Sequence, residues 1–69
     1  MKYKIKEKIE SNLQNGNLQK SIDILNAYEH KYPKDRDLKF YKCIYMLQIG
    51  DIEKAIEISE ECVRKFPTS

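Results

Sequence analysis

Gly50-Asp51-Ile52-Glu53-Lys54-Ala55-Ile56-Glu57 has a near copy thirty-four positions earlier, Gly16-Asn17-Leu18-Gln19-Lys20-Ser21-Ile22-Asp23. The helix breakers keep the same interval: Gly16 and Gly50 are the only glycines, Pro33 and Pro67 the only prolines, and each pair lies thirty-four positions apart. Laying 2–35 over 36–69 without a gap also matches Leu13-Gln14 with Leu47-Gln48, Ile24 with Ile58, and Tyr32-Pro33 with Phe66-Pro67. The chain therefore reads as a single domain over 1–69 made of two tandem units, repeat one over 2–35 and repeat two over 36–69.

Between the breakers the apolar spacing is helical. Ile5, Ile9 and Leu13 recur every four residues and place a thin stripe on a first helix that stops near Asn15-Gly16. Glycine takes a positive φ without steric penalty, and Asn17 and Asp51 are suited to cap the helix that follows each turn. Leu18, Ser21, Ile22, Leu25, Tyr28 and Tyr32 mark the second helix, which Pro33 ends, and Asp35 is placed to cap the third. The third, from Arg36 to Ile49, is apolar around most of its circumference, which predicts an interior helix interrupted by Lys39, Lys42 and Gln48. Its partner should turn Ile52, Ala55, Ile56, Ser59, Cys62, Val63 and Phe66 inward and leave Glu53, Glu57, Glu60 and Glu61 outside. The predicted class is all-α, four antiparallel helices in two tandem helix-turn-helix hairpins.

The second copy, from Gly50 to Glu57 and closing at Pro67, resembles a tetratricopeptide repeat, and the first copy resembles it more weakly in its first helix. The resemblance covers the whole chain. It implies an α-solenoid fragment in which Cys43, Ala55 and Cys62 are the small residues where paired helices approach closely. Lys39 and Lys42 depart from the family pattern, standing where large apolar residues are usual; Lys8 is the matching departure in the first copy. Ile9 and Tyr28 are larger than usual at close-packed places, so the first helix of each repeat is expected to be rotated or shifted.

In this family the concave side, lined by the first helix of each repeat, grips a peptide or helix of a partner protein. Projected onto this chain, that groove is Lys6, Glu10, Leu13 and Gln14 with Phe40, Ile44, Leu47 and Gln48. The alternative, that Phe40, Ile44 and Leu47 are core, stays open at this point. Lys6 matches one place of a terminal-carboxylate clamp, but Glu10 replaces the expected amide and Phe40, Tyr41 and Ile44 replace its polar partners, which argues against that ligand. A second candidate is an end-on homodimer interface of Ile58, Cys62, Val63 and Phe66 on the last helix, where no further hairpin follows. The chain would then be either part of a larger scaffold or multidomain protein, such as an accessory module beside a bacterial transferase, or a small self-associating protein.

Other function classes find little support. A net charge of +2 with only two arginines, Arg36 and Arg64, lacks the basic face of a nucleic-acid module, and the alternating Lys2, Lys4, Lys6 and Lys8 read as a solvated helix face. No apolar run has the length of a signal peptide or a membrane span, so no membrane partner is expected. Two cysteines make no disulfide framework and one histidine makes no metal set, so no cofactor is expected and a reducing cytoplasm fits. No phosphate-binding loop, nucleophile–base pair or buried carboxylate pair is legible, and the expectation is a non-enzymatic protein.

Overall fold

Helices α1 (Tyr3–Gln14), α2 (Leu18–Lys31), α3 (Arg36–Gln48) and α4 (Ile52–Lys65) follow one another in a computed structural model that describes residues 1–65. The readings of Phe66 and Pro67 lie outside the described residues. The two hairpin turns close identically. Gly16 and Gly50 sit at φ +75° and +84°. The amide of the next residue reaches back across the turn, Asn17 N to Asn12 O at 2.8 Å and Asp51 N to Met46 O at 2.9 Å. Each glycine donates to the carbonyl three residues before it. These paired bonds occupy carbonyls that a helix end leaves without partners. Asp35 caps α3 through Asp37 N at 2.8 Å, and Asp51 caps α4 through Lys54 N at 3.1 Å.

Asn17 departs from its expected capping role. Its side chain makes no cap bond; its Nδ2 donates to Asn12 Oδ1 at 3.3 Å, while Asn12 Nδ2 donates to Lys8 O at 2.8 Å. Asn12 is buried, and this pair of bonds satisfies its amide inside the first hairpin.

The core consists of Ile9, Leu13, Leu25, Leu38 and Tyr41, with Ile5, Leu18, Ile22, Ile24, Tyr28, Ile44 and Tyr45 packed around it. It therefore sits among α1, α2 and α3. The fourth helix contributes only Ala55 to the buried residues among those described. It packs on α3 more closely than α1 packs on α2. Side-chain volume accounts for the difference. At repeat-equivalent places the second hairpin has Cys43 and Cys62 where the first has Ile9 and Tyr28. Cys43 Sγ lies 3.5 Å from Ala55 O, a backbone approach that a larger side chain would block.

Two expectations about facing are corrected. The third helix is not interior all round: only Leu38 and Tyr41 are buried, whereas Phe40, Leu47 and Ile49 are exposed. With α2 on one flank and α4 on another, the Phe40–Leu47 side is left without a covering helix. On α4, Ala55, Ile58 and Cys62 turn toward α3, but Ile52, Ile56, Ser59 and Val63 form an outward stripe. The close approach at Cys43 and Ala55 narrows the buried face of α4, and the wider inward arc cannot fit within it.

Lys39 and Lys42 are half-buried. Lys42 Nζ lies 2.6 Å and Lys39 Nζ 3.5 Å from the Glu29 carboxylate of α2; Lys39 also reaches Glu61 at 3.8 Å, and Glu61 pairs with Lys65 at 3.0 Å. Glu61, expected outside, is therefore half-buried at the α3–α4 junction. The Lys42 hydrogen bond holds the Glu29 carboxyl below its ordinary pKa, and the Lys65 bond, aided by Lys39, does the same for Glu61.

Candidate partner-binding surfaces

The first surface lies where α1 and α3 run side by side. Their facing turns place Glu10, Leu13 and Gln14 opposite Phe40, Tyr41, Ile44 and Gln48 around a shallow hollow of about 270 Å³. Six of the eight residues expected in the groove line it. Lys6 and Leu47 do not: Lys6 is half-buried, and Leu47 stands exposed beyond the rim on α3. Phe40 is 58% exposed and Leu47 55%, which removes the reading of these two as core.

Tyr41 was not among the expected groove residues. Its hydroxyl donates to Glu10 across the hollow, and its ring meets Phe40 edge-on with centroids 5.4 Å apart. The bond gives α1 and α3 a polar connection and leaves the groove with a carboxylate and the amides of Gln14 and Gln48 around an apolar floor.

Burial first, then the hydrogen bond to Glu10, pushes the Tyr41 phenol up to about 12; for Tyr28 the hydrogen bond to Asp35 leads, with the same result of about 12. The unfolded phenol titrates near 10. The folded chain thus holds these protons more tightly, so the stabilisation is complete below about pH 10 and is lost as pH rises toward 12. Urea midpoints measured from pH 8 to 12 should fall across that window, and Tyr41→Phe should flatten the fall; an unchanged profile in the variant would remove Tyr41 as its source.

The second surface is the outward stripe of α4. Ile52, Ile56 and Val63 are 59%, 51% and 67% exposed, with Ser59 between them. Of the expected end-on interface, Val63 lies in this stripe, Ile58 and Cys62 turn toward α3, and Phe66 is outside the described residues.

The third surface had no counterpart in the sequence reading. Because α1 and α2 diverge, a cleft of about 760 Å³ opens between them with Ile5, Ile24, Ala27 and Tyr28 on its walls. Four lysines, Lys2, Lys4, Lys8 and Lys31, line its edge. The only sequence signal for it was the presence of Ile9 and Tyr28 at places where small residues close the other hairpin.

His30 is exposed, both cysteines are free thiols, and no group of three or more His, Cys, Asp or Glu side chains among the described residues could hold a metal ion. No helix among the described residues is long and apolar enough to cross a membrane. Comparison of the chain with protein-family models, with curated proteins and with solved structures found no match.

Proposed function

We propose that this chain is a protein-interaction module of the tetratricopeptide type, non-enzymatic and cytoplasmic, that holds a peptide or helix of a partner protein on the α1–α3 face. The observation that carries this reading is the exposure of Phe40 and Leu47 beside a hollow already supplied with polar groups by Glu10, Gln14 and Gln48. Large apolar side chains next to oriented polar groups are the usual composition of a peptide-binding groove. The repeated turn with its glycine stop and the thirty-four-residue register support the family assignment. Membership of a larger scaffold or multidomain protein, including an accessory role beside a transferase, is consistent with such a module.

Partner capture by the full chain tests the reading. Phe40→Ala/Leu47→Ala should keep its helical circular dichroism, since both side chains are exposed, and weaken binding of a captured protein by about tenfold or more, the loss of one modest anchor. Undiminished binding in direct titration would refute the groove.

The outward stripe of Ile52, Ile56 and Val63 favours a second reading, self-association through α4.

A further inference from the structure

We propose that copies of this chain associate head to tail, the apolar stripe of α4 on one copy seating in the lysine-edged cleft between α1 and α2 of the next. The inference rests on the self-association reading and names the surface that receives α4.

The repeat register supplies the first argument. Inside one chain, α2 docks on the second hairpin: Leu25 is fully buried, Leu18 and Ile22 are half-buried against the core, and Glu29 accepts from Lys39 and Lys42. Thirty-four residues on, Leu18, Ile22, Leu25 and Glu29 become Ile52, Ile56, Ser59 and Val63, the outward stripe of α4. Thirty-four residues back, Lys39 and Lys42 become Ile5 and Lys8, both of which line the cleft. On its α1 side, the cleft therefore stands to the stripe in the register that α3 holds to α2 within the chain, with Val63 over Ile5 and Lys8 in place of the Glu29–lysine contacts. The correspondence also fixes where the docked helix lies. Leu38 and Tyr41 correspond to Lys4, on the edge of the cleft, and Glu7, outside it, so the α1 side is polar there and α4 of the incoming copy rests toward the apolar wall of Ile5, Ile24 and Ala27.

Charge supplies the second argument. Lys2, Lys4, Lys8 and Lys31 are exposed and none is ion-paired with another described residue; among the described residues no carboxylate lines the cleft itself, the Asp35 carboxylate behind it being taken up by the Met1 ammonium and the Tyr28 hydroxyl. The stripe of α4 is flanked by exposed Glu53, Glu57 and Glu60, with Arg64 on the same edge beside Ser59 and Val63, so the flank carries a net negative charge. Opposite charges thus border two apolar surfaces, which steers association and fixes register. Pairing two α4 helices antiparallel matches Ile52 with Val63 and Ile56 with Ser59, but it sets Glu53 of one copy near both Glu60 and Arg64 of the other, a mixed edge on which repulsion and attraction offset one another. The lysine cleft is the better seat.

A head-to-tail contact uses different surfaces on the two partners and does not close on itself without a suitable rotation. Sedimentation of the full chain should therefore show a mass that climbs past that of a dimer as concentration rises and falls when salt is added. Two variants alter exposed residues only, Lys4→Glu/Lys8→Glu in the cleft and Ile52→Asn/Ile56→Asn on the stripe. Each alone should associate at least about tenfold more weakly, and the equimolar mixture should form a one-to-one heterodimer that grows no further, because each partner retains one intact surface. Should the double lysine variant lose helicity, Lys31→Glu on the opposite edge provides the same test. Undiminished association of the lysine variants, growth of the native chain that stops at a dimer, or a mixture that stays monomeric would overturn the cleft as the seat while leaving self-association standing. A native chain that remains monomeric to about millimolar concentration, or a stripe variant that associates like the native chain, would overturn both.

Discussion

Leu25→Ala is expected to leave the chain largely unfolded at room temperature, while Ser59→Ala, at the repeat-equivalent place on α4, leaves the monomer unchanged. Leu25 is 0% exposed and packs with Ile9, Leu13, Leu38 and Tyr41 where three helices meet. Removing such a leucine costs about 2–5 kcal/mol, since the lost contacts are compounded by a cavity that the surroundings fill only in part. A chain of 69 residues draws no more than about 3–5 kcal/mol from a core of this size, so one substitution consumes most or all of it. Ser59 is exposed and touches none of that core. Far-UV circular dichroism with urea titration checks the pair; a cooperative transition for Leu25→Ala within about 1 kcal/mol of the native chain would show that this core is not what holds the helices together.

Ala55→Leu should be the most damaging enlargement. Ala55 is buried, and its carbonyl lies 3.5 Å from Cys43 Sγ where α3 and α4 pack together. Three added carbon atoms have no space there, and forcing α3 and α4 apart costs about 1–3 kcal/mol. The separation also stretches the Lys39–Glu61 contact, already 3.8 Å long. For a domain of this length each kcal/mol lowers the melting temperature by about 4–8 °C. Ala27→Leu is the control. Ala27 is exposed on the wall of the cleft between α1 and α2, where a larger side chain meets open space, and a change within about 0.5 kcal/mol is expected. Equal losses at both alanines would contradict the difference between the two hairpins.

The turns were the most legible part of the sequence, because a glycine or proline acts through its own backbone. Gly16, Gly50 and Pro33 set helix ends within a residue or two of those observed, and Asp35 and Asp51 cap as their position implies. The facing of the helices was less legible. Periodicity identifies an apolar arc, but which part of that arc is covered depends on how near the neighbouring helices come. Close approach at Cys43 and Ala55 left Ile52, Ile56 and Val63 outside, and the lack of a covering helix did the same for Phe40 and Leu47. Asn12 carried no signal in the sequence, and its burial goes with the bonds to Lys8 and Asn17 that the folded turn supplies. Six groove residues followed from the resemblance to the tetratricopeptide pattern, whereas Tyr41, lining the same hollow, stood out in the sequence only as a replacement for a polar clamp residue, and its bond to Glu10 depends on how α1 and α3 face one another.

Ile9 and Tyr28, set against Cys43 and Cys62, turn one helical unit into an ajar hairpin and a shut one. Ile9 is fully buried and does not line the cleft it helps to open. The aperture of a repeat is thus governed partly from behind, by a side chain that an incoming partner never meets. Interior substitutions of one or two methylenes can widen or narrow what a hairpin admits while every surface residue stays the same. In an array of such units, a change of partner can accordingly begin in the core, where a survey of exposed positions would record nothing.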